Sequence, residues 1–102
     1  MWANVSHWKI RPDRVDEQLV RDALDDASRV VSREHGFLRF YSIRTGLDTL
    51  IVVTLWASEE SAHRAAALTP TVREFYAEYV ASAEITSGEV VLDRGPEANE
   101  PA

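Results

Sequence analysis

The run from Gly36 to Glu60, GFLRFYSIRTGLDTLIVVTLWASEE, constrains this chain more than any other stretch. Phe37 to Arg44 is rich in aromatic and β-branched residues, Thr45-Gly46-Leu47-Asp48 has turn chemistry, and Thr49 to Trp56 is almost unbroken apolar sequence. The pattern predicts a β-hairpin that feeds a helix. A strand interrupted only by Thr49 and Thr54 suits a sheet covered on both faces, because a sheet with one wet face shows alternation. Each side of the hairpin therefore needs a cover.

The remaining segments supply one of the two. Trp2 to Ile10 reads as a strand with Trp2, Asn4, Ser6, Trp8 and Ile10 on one face and Ala3, Val5, His7 and Lys9 on the other. Pro12 ends it, and Asp13 is placed to cap a helix in which Val15, Leu19, Ala23, Ala27, Val30 and Val31 form an apolar stripe. Arg14, Glu17, Arg21, Asp25, Arg29 and Arg33 fall mainly away from that stripe. Gly36 is positioned to stop the helix in a left-handed conformation and launch the hairpin. Beyond the hairpin, Ser58 caps a helix with Glu59 and Glu60 in its first turn and a slim side of Ala62, Ala65, Ala66 and Leu68. Thr69-Pro70 restarts a helix, where Val72, Phe75, Tyr76, Tyr79 and Val80 keep the spacing of a buried stripe. A last strand is expected over Glu84 to Leu92. Residues 1–94 thus form one domain, and 95–102, rich in Pro, Glu and Ala, form a tail expected to be disordered.

Strand, helix, strand, strand, helices, strand is the order of an α+β, ferredoxin-like split βαβ sandwich with a four-stranded antiparallel sheet and helices on one face. The other face would leave much of Thr49 to Trp56 exposed, more than a monomer ordinarily tolerates. A second copy is the simplest cover, giving a homodimer paired through the sheet face with the helices outside. A length of 102 residues, near the small end for a self-sufficient core, points the same way.

Composition removes several function classes. A net charge of −6 with no basic run or stripe argues against nucleic acid and anionic membrane surfaces as partners. There is no cysteine, so disulfides, thiolate nucleophiles and zinc–cysteine sites are excluded. No secretory leader pattern or membrane-length apolar run is present, and the expectation is a soluble cytoplasmic protein. His7, His35 and His63 are scattered, without paired carboxylate spacing, so no metal site is expected. The four glycines are not grouped, which disfavours a nucleotide cofactor.

Ile10-Arg11-Pro12, His35-Gly36-Phe37, Leu55-Trp56-Ala57-Ser58-Glu59-Glu60 and Pro70 together resemble the antibiotic biosynthesis monooxygenase family, in register over about Val5 to Leu92. The resemblance implies a dimeric α+β barrel. It also brings the family's cofactor-free oxidation of anthrone-like aromatics into view, with the family's pocket Trp at Trp56. Where that branch has Asn, Tyr and Arg, this chain has Val52, Ala62 and Tyr76, which implies a substrate other than an anthrone, or lost activity. The haem-degrading branch's Asn, Trp and His fall at Ser6, Ala65 and Phe75, so haem is expected neither to bind tightly nor to be degraded, and no cofactor is expected.

On the matched parity, Asn4, Ser6 and Trp8 share the space between sheet and helices with Val52, Thr54 and Trp56. Such a pocket would hold a flat aromatic or hydrophobic ligand carrying one or two oxygens. Phe75, Tyr76 and Tyr79 would form its helical wall. His63 is the candidate base, and Tyr76, Ser6 or Asn4 the candidate donors to a developing oxyanion. Each has a plainer reading: Trp56 as a core plug, Phe75, Tyr76 and Tyr79 as packing, and His63 as a solvated helix residue. Two functions follow. One is a cofactor-independent monooxygenase acting on a planar hydroxylated aromatic; the other is a non-catalytic carrier of a small hydrophobic molecule.

Overall fold

The computed structural model describes residues 1–97, so most of the expected tail, residues 98–102, lies outside it. Four strands, β1 (Trp2–Ile10), β2 (Phe37–Arg44), β3 (Thr49–Trp56) and β4 (Val80–Glu89), form one antiparallel sheet in the order β2-β3-β1-β4. Helices α1 (Glu17–Val31), α2 (Glu59–Ala66) and α3 (Thr69–Phe75) connect them. This is the ferredoxin-like arrangement. All three helices lie over one sheet face, the face bearing Asn4, whose side-chain amide donates to the Ala62 carbonyl on α2 at 2.8 Å.

The first three strands have the bounds that their residue patterns predict. Register then decides which side chains meet. Asn4 lies beside Thr54, Ser6 beside Val52 and Trp8 beside Leu50, so one parity of β1 and β3 faces the helices together. At the joint between α1 and β2, Gly36 adopts φ 84°, a left-handed conformation that side chains with a Cβ adopt at a cost. Its carbonyl accepts from the Ala57 N–H at 2.8 Å, tying the start of β2 to the end of β3.

Four local details differ from expectation. Asp13 does not cap α1; it sits in a short 3-10 turn, Pro12–Arg14, and the cap is Asp16, whose carboxylate accepts from the Leu19 N–H at 3.0 Å. Pro12 opens that turn, and Val15 is extended (ψ 109°), so helix cannot begin until Asp16. Thr69 likewise caps nothing. Ala67 and Leu68 are already right-handed helical, so α2 passes into α3 without the extended residue that a side-chain cap requires.

The aromatic stripe after Pro70 is also interrupted. Helix α3 stops at Phe75, Tyr76 leaves helical geometry at φ −103°, ψ 24°, and Val80 belongs to β4. Phe75 is 80% exposed, not buried. Finally, β4 runs Val80–Glu89 and not Glu84–Leu92. Its partner sets its length: Ile10 pairs with Val80 and Trp2 with Glu89, and past Trp2 only one further bond, Val90 N–H to the Met1 carbonyl at 2.9 Å, can form.

The sheet face away from the helices carries Val5, Ile51, Val53 and Leu55, with Tyr41 and Ile43 from β2 exposed beside them. None of the described elements covers it.

Candidate functional site

Helix α1 is amphipathic, yet none of its residues is buried. Its apolar face stands off the sheet and encloses a cavity of about 550 Å³ instead of closing a core. Leu19, Ala23, Ala27, Val30 and Val31 line one side. The sheet lines the other with Asn4, Ser6, Trp8, Val52, Thr54 and Trp56, the parity that the sequence singles out. Phe75, Tyr76 and Tyr79 close the flank. Phe40 also lines the cavity. Its place on the helix-facing parity of β2, opposite Thr54, was available as a signal.

The polar groups on the sheet side are engaged with one another. Asn4 is 4% exposed, and besides donating to Ala62 its side-chain oxygen accepts from the Ser87 hydroxyl at 2.6 Å, which locks β1 to α2 and β4. The Ser6 hydroxyl accepts from Trp8 Nε1 at 2.7 Å and donates to the Val52 carbonyl at 3.4 Å. Thr54 Oγ1 accepts from Trp56 Nε1 at 2.9 Å. Among the described residues no buried side-chain polar atom lacks a partner. These residues therefore hold the sheet side together before any ligand arrives.

Trp56 borders the cavity but is 0% exposed, its ring packed edge-on against Phe37 with centroids 5.7 Å apart. It backs the wall as a core plug. Trp8, half-buried, is the flat surface that the cavity can reach.

His63 is the expected site residue that the structure places elsewhere. Ser61 and Ala62 take the inward side of α2, which turns His63 outward with its side chain 55% exposed. There its ring meets Trp2 edge-on at 5.7 Å, and Nδ1 lies 3.9 Å from Glu59 Oε1. It cannot serve as base inside this cavity.

Arg14, Asp26 and Glu34 border the cavity as well. Arg14 was not expected there, because helical spacing counted from Asp13 turned it to solvent. Among the described residues no three His, Asp or Glu side chains cluster as a metal site, and no histidine lines the cavity. For haem, no histidine, cysteine or methionine lines the cavity and Phe75 offers no axial nitrogen, so the residues present are a poor fit. A second hollow of about 500 Å³ lies between α2, α3 and β4, but no aromatic ring borders it, and its Arg11 already donates to the Ala77 carbonyl at 3.2 Å.

An open-faced α+β sandwich with an aromatic cavity between its sheet and helices defines the class. This chain belongs to the antibiotic biosynthesis monooxygenase family, whose sequence model matches residues 1–78. The fold is also that of a protein of unknown function from Nitrosomonas europaea, with 20% identity over 95% of each chain and a TM-score of 0.72. It is similar to SnoaB, a cofactor-independent oxygenase from Streptomyces nogalater, at 12% identity over 97% of each chain and a TM-score of 0.67. The heme-degrader MhuD from Mycobacterium tuberculosis is similar at 22% identity, covering 93% of this chain and 100% of its own, with a TM-score of 0.66. No curated protein matches the chain by sequence. Among the described residues no helix is long and apolar enough to cross a membrane.

Proposed function

We propose that this chain is a cofactor-independent monooxygenase acting on a small, planar, hydroxylated aromatic of the quinol or anthrone kind. The observation that carries the reading is the cavity of about 550 Å³, within the usual range for small-ligand sites and walled by Trp8, Phe40, Phe75, Tyr76 and Tyr79. Family membership and the fold shared with SnoaB support it.

The chemistry asks little of the protein. An electron-rich ring anion transfers an electron to oxygen, the radical pair combines to a peroxide, and loss of water leaves a carbonyl. A ring CH₂ and O₂ become C=O and H₂O, so substrate supplies all the electrons. The protein contributes positioning and exclusion of water, and a proton acceptor if the substrate is not acidic enough alone. With His63 outside, the carboxylates on the cavity border, Asp26 and Glu34, are the groups that could take that proton. Tyr76 would donate a hydrogen bond to the developing oxyanion.

The alternative is a non-catalytic carrier of a small hydrophobic molecule. The outward position of His63 and the mutual engagement of Asn4, Ser6 and Thr54 favour it. Oxygen uptake by metal-free protein across a panel of anthrones, hydroquinones and catechols separates the two. The oxygenase reading expects at least one compound to be consumed well above the buffer rate, and a rate equal to buffer for all, with tight binding of one, establishes the carrier. On either reading we propose a homodimer through the open sheet face, because Val5, Ile51, Val53 and Leu55 form a continuous apolar surface there.

A further inference from the structure

The cavity has two chemically different ends. At one end, Trp56 pairs with Trp2 in register and packs on Phe37, and α1 finishes there, followed by Glu34. At the other end Ile10 pairs with Val80, the turn before α1 carries Arg14, and the chain passes through Tyr76 and Tyr79 into β4. Arg14 faces this second turn, since its guanidinium lies 3.9 Å from Glu78 Oε1, beside Tyr79. That distance is too long for a hydrogen bond, and among the described residues the Arg14 side-chain donors make none. Nor do the Tyr76 and Tyr79 hydroxyls, although both residues line the cavity and are half-buried. The donors left over for a ligand are thus concentrated at the end away from Trp56, while the carboxylates that border the cavity, Asp26 and Glu34, lie toward the other.

Resting on the reading of this cavity as a substrate site, we propose that its ligand is an aromatic acid. The carboxylate binds Arg14, assisted by the Tyr76 and Tyr79 hydroxyls, and the ring extends over Trp8 toward Trp56. A guanidinium presents a planar fork that matches a carboxylate in two parallel hydrogen bonds. The two carboxylates on the cavity border reinforce the orientation. Asp26 lies on the half of α1 nearer the Trp56 end, and Glu34 lies beyond its last turn, so a ligand anion placed at that end would be repelled. Among the described residues Glu78, 70% exposed, is the one acidic group within ion-pair distance of Arg14, and it is displaced by the better-desolvated ligand carboxylate.

The test is anaerobic equilibrium binding, read by calorimetry and by quenching of tryptophan fluorescence. A dihydroxynaphthoic acid is compared with the naphthalenediol of the same ring. Wild type is expected to bind the acid at least about tenfold more tightly, the range for a charge-assisted pair. Arg14→Gln should abolish that preference and leave the diol unchanged, and Tyr79→Phe should reduce it severalfold. Arg14 is 46% exposed, so the variant is expected to fold, and its circular dichroism checks this. Equal affinity of wild type for acid and diol, or an equal loss for both in Arg14→Gln, overturns the proposal. Because oxygen is excluded, the outcome is independent of turnover. Selective binding of the acid with no oxygen uptake retires the oxygenase reading alone, and uptake on the diol with no preference for the acid retires this proposal alone.

Discussion

Replacing Gly36 with alanine tests how the sheet and the cavity's Trp56 end are joined. Two separate costs arise. The backbone at φ 84° is strained for any residue with a Cβ, at roughly 1–2 kcal/mol. The added Cβ would also stand 2.8 Å from Ser61 Cβ and closer still to its hydroxyl. Ser61 is buried and held by Ser58, whose hydroxyl it meets at 3.1 Å, so it has little room to move, and overpacking of this kind costs about 1–3 kcal/mol. Gly36→Ala should therefore lose about 3 kcal/mol, a large part of a small domain's stability and a fall of roughly 10–20 °C in Tm. The second cost, but not the first, is relieved by Ser61→Gly. That change alone should lose about 1 kcal/mol through helix propensity and the missing hydroxyl contact. The double variant should then be more stable than the sum of the singles by about 1–2 kcal/mol. Urea unfolding followed by circular dichroism, at one protein concentration throughout, measures all four corners. Strict additivity would refute the steric argument, and a loss under about 1 kcal/mol for Gly36→Ala would refute both parts.

Trp56→Phe keeps a ring against Phe37 but removes the indole N–H from Thr54 and leaves a void, so a loss of about 1–3 kcal/mol in urea unfolding is expected, and no loss would show that Trp56 is not a hydrogen-bonded plug. Val53→Glu places a charge between Val5 and Tyr41 on the open sheet face and should convert a dimer to monomer in light scattering; wild type that is already monomeric at micromolar concentration contradicts the pairing. His63→Ala, on the outer side of α2, should leave both ligand binding and oxygen uptake within a factor of two of wild type, and a loss of about tenfold or more would place His63 in the reaction after all.

What could be read along the chain was whatever local chemistry decides. The bounds of β1, β2 and β3, the Ser58 cap and the left-handed Gly36 all follow from residue period, turn composition and a single cap or glycine. Strand parity followed too, since alternate side chains of a strand face opposite ways; this is why Asn4, Ser6, Trp8, Val52, Thr54 and Trp56 were found together. Family membership was legible from the same joints. Other features depend on partners distant in sequence. The end of β4 is set by the end of β1, the start of α1 by how Pro12 and Val15 turn the chain, and the rotation of α2 by Ser61 and Ala62 packing inward. A small error in any of these redirects a side chain completely, which is how His63 left the cavity and Arg14 entered it. Whether Asn4 and Ser6 were free for a ligand was likewise a tertiary matter, because their partners, Ala62, Ser87 and the Val52 carbonyl, come from other elements. Periodicity assigns a residue to a face; only packing in three dimensions decides what already occupies its hydrogen bonds.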